Sequence, residues 1–441
     1  MKKIVKTCSS IQSAIYLAPN EIRTCCQRYF RDKKLCGDVV LFKTNDINAE
    51  KILDSIIKAK KSLISKINND DVDDPCTGCH SLEVSEFEQP QKQILINHIS
   101  IETDTTCNMR CVYCSPIYYG GNKSNYDPIQ LIEEMDKKGF LDKSVVIHWG
   151  GGEPTIGEDF ENRLNRLTKI VNIKSIRFFT NSTKNSKGIS NWLKNDKAQI
   201  TTSIDAGSEE TFRKVRGLRG IQRVLSNLEN YKKLINNPQK ITIKYIFNKY
   251  NCKNEDIKLF IENLVKYDLS SLPLQISIDF KIEKPSIEIY KAALNLYNQH
   301  IKISKKFNAF FDDHFLHAIS RILKKGSKDK TYSSLLDLEI VKIINEFAEN
   351  HEWVIWGTGS FAKYLFSESY ISTIKKPLAL ISDDPFKEES KDFNIKDSSF
   401  IKNHKKKIFI CLGSVSYRNQ IIKKIKAANI SEDHIANIPF I

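Results

Sequence analysis

The sequence predicts an α/β protein whose central part is a partial (β/α)6 barrel of the TIM type. Two observations in residues 94–281 lead to this prediction: runs rich in Val, Ile and Phe recur six times, and segments with helical spacing lie between them. Such alternation predicts parallel strands joined by right-handed crossovers. Ligands then collect at the carboxyl ends of the strands. The predicted strands are Ile94–Glu102, Ser144–Trp149, Ser175–Thr180, Gln199–Asp205, Lys240–Phe247 and Gln275–Lys281. The clearest helices between them are Pro128–Lys138, Phe160–Val171, Glu209–Val215 and Asn254–Tyr267.

The length of 441 residues allows two or three domains, and the sequence pattern favours three. Residues 1–90 are predicted to form a small cysteine-bearing domain, with a strand at Asp38–Phe42 and a helix at Ala49–Ile67. Residues 91–325 contain the barrel and end in a long amphipathic helix or helix pair, Ile287–Lys325. A polar linker follows, and residues 331–441 show a new alternation of strands and helices.

Composition excludes several classes of protein. The chain has 41% hydrophobic and 27% charged residues, as an ordinary globular protein has, so disorder and coiled coils are set aside. We expect no membrane span and a cytoplasmic location, because the sequence contains neither a long apolar run nor a signal peptide. The net charge of +15 comes from lysines spread along the whole chain, which makes a nucleic-acid partner an unfavoured reading.

The cysteines carry the most information. Nine of the 11 lie within the first 114 residues, and clustered thiols in a reducing compartment indicate metal binding. Cys107, Cys111 and Cys114 form a CxxxCxxC loop directly after the first barrel strand. Three thiolates at this spacing can ligate three irons of a 4Fe-4S cluster and leave the fourth iron open. A structural zinc site normally needs a fourth Cys or His, and none follows within the loop.

A glycine-rich segment follows the second strand, with Gly150, Gly151, Gly152 and Glu153 in sequence. Together with the cysteine loop it resembles the radical S-adenosylmethionine (radical SAM) superfamily. The resemblance implies that this segment binds the methionyl amino group of S-adenosylmethionine. The physical rationale for the glycines is that a strand end without β-carbons lets a ligand approach the backbone.

Further parts of the resemblance lie at other strand ends. Asn181 belongs to a segment similar to the family's Thr-Asn-Gly element, with Ser182 in place of the glycine. The resemblance implies that Ser203 and Arg216 contact the carboxylate of S-adenosylmethionine, although a surface salt bridge is the alternative for Arg216. It also puts the aromatic ring of Tyr113 beside the adenine, where a simple packing role is equally plausible.

The resemblance implies a 4Fe-4S cluster and S-adenosylmethionine as cofactors. It further implies that the enzyme cleaves S-adenosylmethionine reductively and that the 5′-deoxyadenosyl radical abstracts hydrogen from a substrate. A reductant such as flavodoxin or ferredoxin is the expected partner. The substrate is left open between a peptide or protein and a sugar or other glycan-type molecule. No catalytic residue beyond the cluster ligands is predicted.

The N-terminal cysteines suggest a second metal centre. They resemble the auxiliary-cluster domains called SPASM or twitch, although those domains normally follow the barrel and these cysteines precede it. A second iron-sulfur cluster and a structural zinc are the two alternatives. The candidate ligands are Cys25, Cys26, Cys36, Cys76 and Cys79.

In the C-terminal part, a strand at Trp353–Trp356 leads into the GxGxxA pattern of residues 357–362, and Asp383 follows the next strand. Such a turn brings phosphate close to a helix N-terminus, and the acidic residue can hold a ribose. This unit resembles Rossmann-type domains of enzymes that make surface glycans. It is therefore a candidate site for a nucleotide or nucleotide sugar, or else a domain that only packs against a partner.

Two other functional classes compete with the enzyme. One is an iron-sulfur electron carrier or sensor without catalytic activity, which would need the cysteines but not Gly150–Glu153. The other is a zinc-dependent nucleic-acid binder that uses the lysines.

Overall fold

The computed structural model describes most of the chain, with gaps that are longest in the C-terminal part. The described residues are 2–31, 34–44, 49–69, 74–79, 81–88, 94–115, 121–282, 285–304, 309–312, 314–315, 349, 351–357, 377–382, 394–404, 408–412, 424–431 and 434–436. The chain divides into two units, one of Met1–Lys244 with Glu262–Leu272 and the other of Tyr245–Ile261 with Pro273–Ile441.

Strands of the first unit begin in the N-terminal region and continue through the predicted barrel. They are β1 (Lys2–Thr7), β2 (Ala14–Leu17), β3 (Glu21–Arg23), β4 (Arg28–Arg31), β5 (Lys34–Gly37), β6 (Val40–Lys43), β7 (Glu83–Glu88), β8 (Ile96–Ile101), β9 (Leu141–Trp149), β10 (Ile173–Phe179), β11 (Ala198–Ser203) and β12 (Ile241–Phe247), the last of which continues into the second unit. The helices of this unit are α1 (Ser9–Ser13), α2 (Ala49–Asn68), α3 (Pro128–Lys137), α4 (Phe160–Leu167), α5 (Lys187–Lys194), α6 (Glu209–Arg216) and α7 (Ile221–Lys232).

The main sheet of this unit has the strand order β6-β3-β2-β8-β9-β10-β11-β12. From β2 through β8 to β12, each neighbouring pair is parallel, whereas β3 is antiparallel to both β2 and β6. The predicted parallel α/β sheet is thus confirmed, with strands in sequence order, and no pairing among the described strands closes it into a barrel. The N-terminal region contributes three strands to this sheet, through the pairing of β2 with β8.

Local sequence explains where the helices around this sheet begin. Before α3, the Asp127 side chain accepts a hydrogen bond of 2.9 Å from the Ile129 backbone N–H, and Pro128 occupies the first turn. Ser186 and Ser208 cap α5 and α6 in the same way. Helix α6 ends at Gly217, whose φ of +72° is the left-handed conformation that favours glycine. These capping residues therefore define where the helices begin and where α6 ends.

The second unit contains the end of β12, then α8 (Asn254–Lys266, which crosses between the units), β13 (Leu274–Ile278), α9 (Ile287–Ser304) and β14 (Ala309–Phe311). Strands β12, β13 and β14 are neighbours in that order. The prediction of a helix or helix pair over Ile287–Lys325 is wrong in part. Helix α9 ends at Ser304, and the apolar run at Ala309–Phe311 pairs in parallel with β13 instead. Residues 316–325 of that prediction lie outside the described residues.

A five-stranded sheet follows in this unit. Its strands are β15 (Glu352–Trp356), β16 (Leu380–Ile381), β17 (Ile395–Lys396), β18 (Ile408–Leu412) and β19 (Ile435–Ala436), and a short helix α10 (Ser399–Lys402) precedes β18. All pairings are parallel, and the order is β17-β16-β15-β18-β19. In chain order this is 3-2-1-4-5, the order of doubly wound α/β sheets.

No helix in the described part of the chain is both long enough and apolar enough to cross a membrane.

Candidate active site at the cysteine loop

The CxxxCxxC loop lies directly after β8, at the carboxyl edge of the parallel sheet. Cys111 is buried, and Cys107 and Cys114 are half-buried. Burial raises the pKa of the Cys107 and Cys111 thiols, while the nearby Arg216 guanidinium lowers both. The Met109 backbone N–H points to the Cys107 sulfur at 3.4 Å. The donor set of three thiols with a cation and an N–H nearby fits an anionic iron-sulfur cluster.

The glycine segment after β9 holds this loop through its backbone. Gly152 N–H donates to Asp104 O at 3.0 Å, and Glu153 N–H donates to Thr106 O at 2.7 Å. A β-carbon on Gly152 would lie 2.0 Å from Thr106 O, and one on Gly151 would lie 2.6 Å from Asp104 O. At these two glycines the missing β-carbon leaves room for the backbone of the cysteine loop, and their contact with S-adenosylmethionine stays a prediction.

Glu153 joins the ends of β9 and β10. Its carboxylate is buried and accepts hydrogen bonds from Thr155 Oγ1 at 2.6 Å, Thr180 Oγ1 at 2.7 Å and the Asn181 backbone N–H. Burial raises its pKa, and these donors oppose that shift. In the described structure the Glu153 side chain thus positions the strand ends.

Asn181 connects β10 to the cysteine loop. Its Nδ2 donates to Asn108 Oδ1 at 2.7 Å, and its Oδ1 accepts from Thr183 Oγ1 at 2.7 Å. The next residue, Ser182, has φ of +54° and is fully buried. Its hydroxyl lies 2.7 Å from Thr202 Oγ1. Ser182 therefore adopts the backbone conformation that its predicted glycine counterpart would adopt freely.

The segment around α6 supports the cysteine loop from the other side. Arg110 N–H donates to Arg216 O at 2.9 Å, and Val112 N–H donates to Val215 O at 2.9 Å. A β-carbon on Gly217 would lie 2.8 Å from Arg110 Cβ and Arg110 O. The loop is thus held between the glycine segment and the end of α6.

Arg216, Asp205 and Tyr113 form a buried polar group next to the cysteines. Arg216 Nη1 lies 3.0 Å from Asp205 Oδ2, and the Tyr113 hydroxyl donates to the same oxygen at 2.6 Å. The guanidinium carbon lies 5.7 Å from the centre of the Tyr113 ring. Arg216 thus forms an ion pair, as the alternative predicted, but the pair is buried. Its Nε is also buried and has no hydrogen-bond partner within the described residues.

An unsatisfied guanidinium N–H is a position that a ligand carboxylate can fill. Ser203, the other predicted contact, is the last residue of β11 and stands in register with Lys244 of β12. Asp205 was not predicted as a site residue. The sequence signal for it is an acidic residue two positions after a strand that ends at the site.

Sequence analysis also missed a polar row that crosses the sheet. Ser100, His148, Arg177 and Gln199 stand in register on β8, β9, β10 and β11. Arg177 donates through Nε to Gln199 Oε1 at 2.9 Å. Burial lowers the pKa of Arg177, and burial together with the neighbouring His98 and Arg177 lowers the pKa of His148 to about 3. The signal in the sequence is a polar residue between two apolar ones near the end or middle of each strand, as His148 lies between Ile147 and Trp149.

The structure brings only some of the N-terminal candidate ligands together. Cys25, Cys76 and Cys79 line one cavity together with Cys8, which was not a candidate. Cys26 is exposed, and the Cys36 thiol lies 3.7 Å from Lys34 O in the β4–β5 hairpin.

In the C-terminal five-stranded sheet, Gly357 follows β15 with φ of +123°. The rest of the GxGxxA pattern and Asp383 lie outside the described residues.

Comparison with known proteins supports the family. Residues 101–261 match the Radical SAM superfamily. A GTP 3′,8-cyclase of Clostridium botulinum (strain Okra) is 28% identical over 181 residues, which cover 40% of this chain and 54% of the relative. The same enzyme of Haemophilus influenzae (strain Rd) is 28% identical over 141 residues, which cover 32% of this chain and 41% of the relative. The chain thus spans about half the length of these relatives.

Among solved structures, Streptococcus suis SuiB bound to S-adenosylmethionine matches with a TM-score of 0.40 and 14% identity. The match covers 62% of this chain and 59% of SuiB. SuiB bound to its precursor peptide SuiA matches similarly, with a TM-score of 0.40, 14% identity and coverage of 61% and 56%.

Proposed function

We propose, on the premise that residues 101–261 form a radical SAM domain, that this chain is a radical SAM enzyme. When bound, the 4Fe-4S cluster and S-adenosylmethionine supply a 5′-deoxyadenosyl radical, which abstracts hydrogen from the substrate. The observation that carries the proposal is the placement of the cysteine loop. It follows β8, the first strand of the predicted barrel, and is held by backbone hydrogen bonds to the glycine segment and to the end of α6.

The chain's own residues have distinct parts in this proposal. Cys107, Cys111 and Cys114 would hold the cluster. Arg216 would bind the carboxylate of S-adenosylmethionine through its unpartnered Nε, while Asp205 holds the guanidinium in place. Tyr113 would lie against the adenine, with its ring fixed by the hydrogen bond to Asp205.

The remaining predicted contacts are Gly150, Gly151, Gly152, Glu153, Asn181 and Ser203. Gly151 and Gly152 lie against the backbone of the cysteine loop, and their contact with S-adenosylmethionine stays a prediction. We propose that Gly150 and Ser203 line the S-adenosylmethionine site at the ends of β9 and β11. Asn181 and Glu153 act as positioning residues, because their side chains are used in hydrogen bonds that join the strand ends and the loop.

The test of this function is the production of 5′-deoxyadenosine by anaerobically reconstituted full-length protein with dithionite. Wild type is expected to form it, and Cys111→Ala is expected to form none because one cluster ligand is lost. Cys252→Ala is the matched control, since Cys252 lies outside the cysteine loop and its thiol contacts Asn248 O at 3.1 Å. Product formation by Cys111→Ala would contradict the proposal. A wild-type protein that makes no product would favour the electron carrier or sensor.

For the substrate, we propose a molecule with an anionic group bound against the polar row of the sheet. Arg177 is half-buried, and no carboxylate of the described residues forms an ion pair with it. A half-buried guanidinium without a counter-charge is costly, so an anion from the substrate would stabilise it. The peptide and sugar-type substrates remain candidates where they carry such a group. GTP is a further candidate, because the relatives are GTP 3′,8-cyclases.

Binding measurements test this substrate class. Titration of the reconstituted protein with GTP, guanosine, a nucleotide sugar and an acidic peptide separates the candidates. At least one anionic probe is expected to bind about 10-fold more tightly than neutral guanosine, and Arg177→Gln is expected to remove that preference. Arg163→Gln is the control, because Arg163 makes a more exposed pair with Asp159 on α4. Equal affinity for all probes would exclude the anionic class.

The C-terminal unit is proposed as a separate nucleotide or nucleotide-sugar site. Its support is the 3-2-1-4-5 strand order and the positive φ of Gly357 at the end of the first strand. Titration of the full chain with dinucleotides and nucleotide sugars, followed by calorimetry, should show a binding event that Gly357→Val abolishes. A titration without heat for any of these ligands would leave only a packing or docking role.

A further inference from the structure

Four cysteines that are distant in sequence line one cavity in the N-terminal region. They are Cys8, Cys25, Cys76 and Cys79. The fold explains how they meet: β1 and β7 pair antiparallel with Thr7 opposite Glu83, which brings Cys8 toward the turn that contains Cys76 and Cys79. Cys25 follows β3 and packs with Cys8 against the same apolar cluster as Cys76.

Backbone groups lie close to two of the sulfurs. Backbone hydrogen bonds reach the Cys8 sulfur from Ser10 and Ile11. Others reach the Cys25 sulfur from Gln27 and Val39. Each of these bonds lowers the thiol pKa against the larger effect of burial, which raises it. Hydrogen bonds to sulfur are also one of the means by which proteins tune iron-sulfur clusters.

The Cys76–Cys79 turn is organised before any metal binds. The Cys76 N–H donates to Asp74 Oδ1 at 2.7 Å, and the Thr77 hydroxyl donates to Asp74 Oδ2 at 2.6 Å. Cys79 N–H closes the turn by donating to Cys76 O at 2.9 Å. Gly78 has φ of +84°, which a side chain would strain. The CxxC spacing is therefore fixed as a compact turn.

Lys60 lies beneath this group as a fully buried cation. Its ammonium donates to Ser10 O at 3.0 Å, Ile11 O at 2.9 Å and Thr24 Oγ1 at 3.1 Å. Burial lowers its pKa to about 7, and the Cys8 and Cys25 thiolates raise it in opposition. Within the described residues Lys60 forms no ion pair with a carboxylate. A buried lysine facing thiols, rather than Asp or Glu, indicates a negatively charged centre at the thiols.

We propose that Cys8, Cys25, Cys76 and Cys79 bind a second cluster of the 4Fe-4S type, with Lys60 as its buried counter-cation. This replaces Cys26 and Cys36 as candidate ligands and adds Cys8. The proposal rests on the N-terminal residues alone and does not depend on the function proposed for the cysteine loop.

Four thiols around one cavity are compatible with a cluster. In the described part of the chain, no three Cys, His, Asp or Glu side chains converge as ligands of a single metal ion. The same holds for Cys107, Cys111 and Cys114, whose spacing matches a cluster-binding loop. A tetrahedral zinc needs all ligands at one ion, whereas each thiolate of a cubane cluster binds a different iron. Thiols placed around a cavity are compatible with the second geometry.

Iron and zinc counting on the reconstituted full chain tests the proposal. Wild type is expected to hold about eight irons. The triple variant Cys107→Ala/Cys111→Ala/Cys114→Ala keeps the N-terminal region intact and is expected to retain about four irons and a brown cluster absorption. Cys8→Ala/Cys76→Ala in the wild-type background is expected to lose about four irons, whereas Cys26→Ala and Cys36→Ala, the matched controls, keep about eight.

Several results would overturn the proposal. They are a triple variant without iron, a triple variant that holds zinc instead, or a Cys26→Ala protein that loses as much iron as Cys8→Ala/Cys76→Ala. Because the triple variant leaves all four proposed ligands in place, it decides the question even where Cys8→Ala/Cys76→Ala does not fold. If only the function proposed for the cysteine loop is wrong, the protein forms no 5′-deoxyadenosine but still holds these four irons.

Lys60→Met in the triple variant tests the counter-cation. Removing a buried positive charge disfavours addition of an electron, so the reduction potential of the retained cluster should become more negative. Lys61→Met is the control, because Lys61 is an exposed neighbour on α2. An unchanged potential with the cluster retained would show that Lys60 does not act on it.

Discussion

Asp205 Oδ2 lies 3.0 Å from Arg216 Nη1, and both side chains are buried next to the cysteine loop. Asp205 holds this position with φ of +62°. The backbone carbonyl of Arg216 accepts the hydrogen bond of Arg110 N–H within the loop. The ion pair therefore fixes both a guanidinium that faces the site and the backbone that carries Cys107 and Cys111.

Asp205→Asn should lower the free energy of unfolding by about 3 kcal/mol. The change removes one charge of a buried pair and leaves the other uncompensated. Asn tolerates the left-handed backbone, so the effect of charge is isolated from that of strain. Urea unfolding of the two proteins at one pH measures the difference.

Asp196→Asn is the matched control for this prediction. Asp196 also has a positive φ, of +58°, and pairs with Lys240 at 2.8 Å, but its side chain is 81% exposed. Exposed pairs contribute little, so its loss should be below about 1 kcal/mol. An equal loss of unfolding free energy in both variants would show that the Asp205–Arg216 pair stabilises the protein no more than an exposed pair does.

Gly152→Ala should prevent the cysteine loop from adopting its position. The added β-carbon would lie 2.0 Å from Thr106 O and 2.6 Å from the Thr105 carbonyl carbon, and backbone atoms cannot move aside as a side-chain end can. We expect a stability loss of about 3 kcal/mol or more and less iron bound after reconstitution. Thermal unfolding and iron analysis measure the two effects.

Gly157→Ala provides the comparison on the same segment. Its nearest neighbour would be Pro154 O at 3.4 Å, and its φ of −62° suits any residue. This variant should keep wild-type stability within about 0.5 kcal/mol. A Gly152→Ala protein with normal iron content would contradict the close packing seen here.

At Ser182, alanine should be less stable than glycine, although alanine is closer to serine in size. Both changes lose the hydroxyl contact with Thr202, worth about 1 kcal/mol. Only glycine removes the cost of a φ of +54°, which is about 1 kcal/mol for a residue with a β-carbon. Urea midpoints of Ser182→Ala and Ser182→Gly decide this. An alanine variant as stable as the glycine variant would argue against backbone strain at this position.

His148 should make the protein less stable in acid. Burial and the neighbouring cations lower its pKa from 6.5 to about 3 in the folded chain. Between these values the unfolded chain binds a proton that the folded chain does not, so the free energy of unfolding falls as pH falls from 6.5 toward 3. The contribution reaches at most about 1.4 kcal/mol per pH unit.

His148→Gln should therefore flatten the pH dependence of stability between pH 7 and pH 5, measured by urea unfolding at each pH. Burial and Arg177 also lower the pKa of His98, so His98→Gln/His148→Gln should flatten it further. The same slope in wild type and both variants would exclude the histidine pair as the cause.

Much of the fold follows from the sequence because periodicity is a local property. Strand β12 alternates buried and half-buried residues along Ile241–Phe247, and the predicted strand Lys240–Phe247 is nearly the same. Helix α2 begins at Ala49 as predicted and ends one residue later, at Asn68. The end of α9 was not predicted, because whether the short apolar run after it forms a helix or a strand depends on pairing with β13.

In the site, the sequence predicted only those residues that lie at short, fixed spacing along the chain. Cys107, Cys111 and Cys114 lie within eight residues, so one loop must bring them together. Asp205 was missed because an acidic residue after a strand can have many roles. Only its contact with Arg216 in the folded chain shows that it holds the guanidinium.

By itself, the sequence determined the parallel α/β sheet and the cysteine loop, since these depend on residue types at short spacing. Tertiary structure alone decided which distant groups meet. It placed Cys8 with Cys25, Cys76 and Cys79 around one cavity, and it placed the backbone of the cysteine loop against Gly151 and Gly152. The physical reason is that β-strand pairing sets these contacts, and one pairing, such as that of β1 with β7, joins residues more than 70 positions apart.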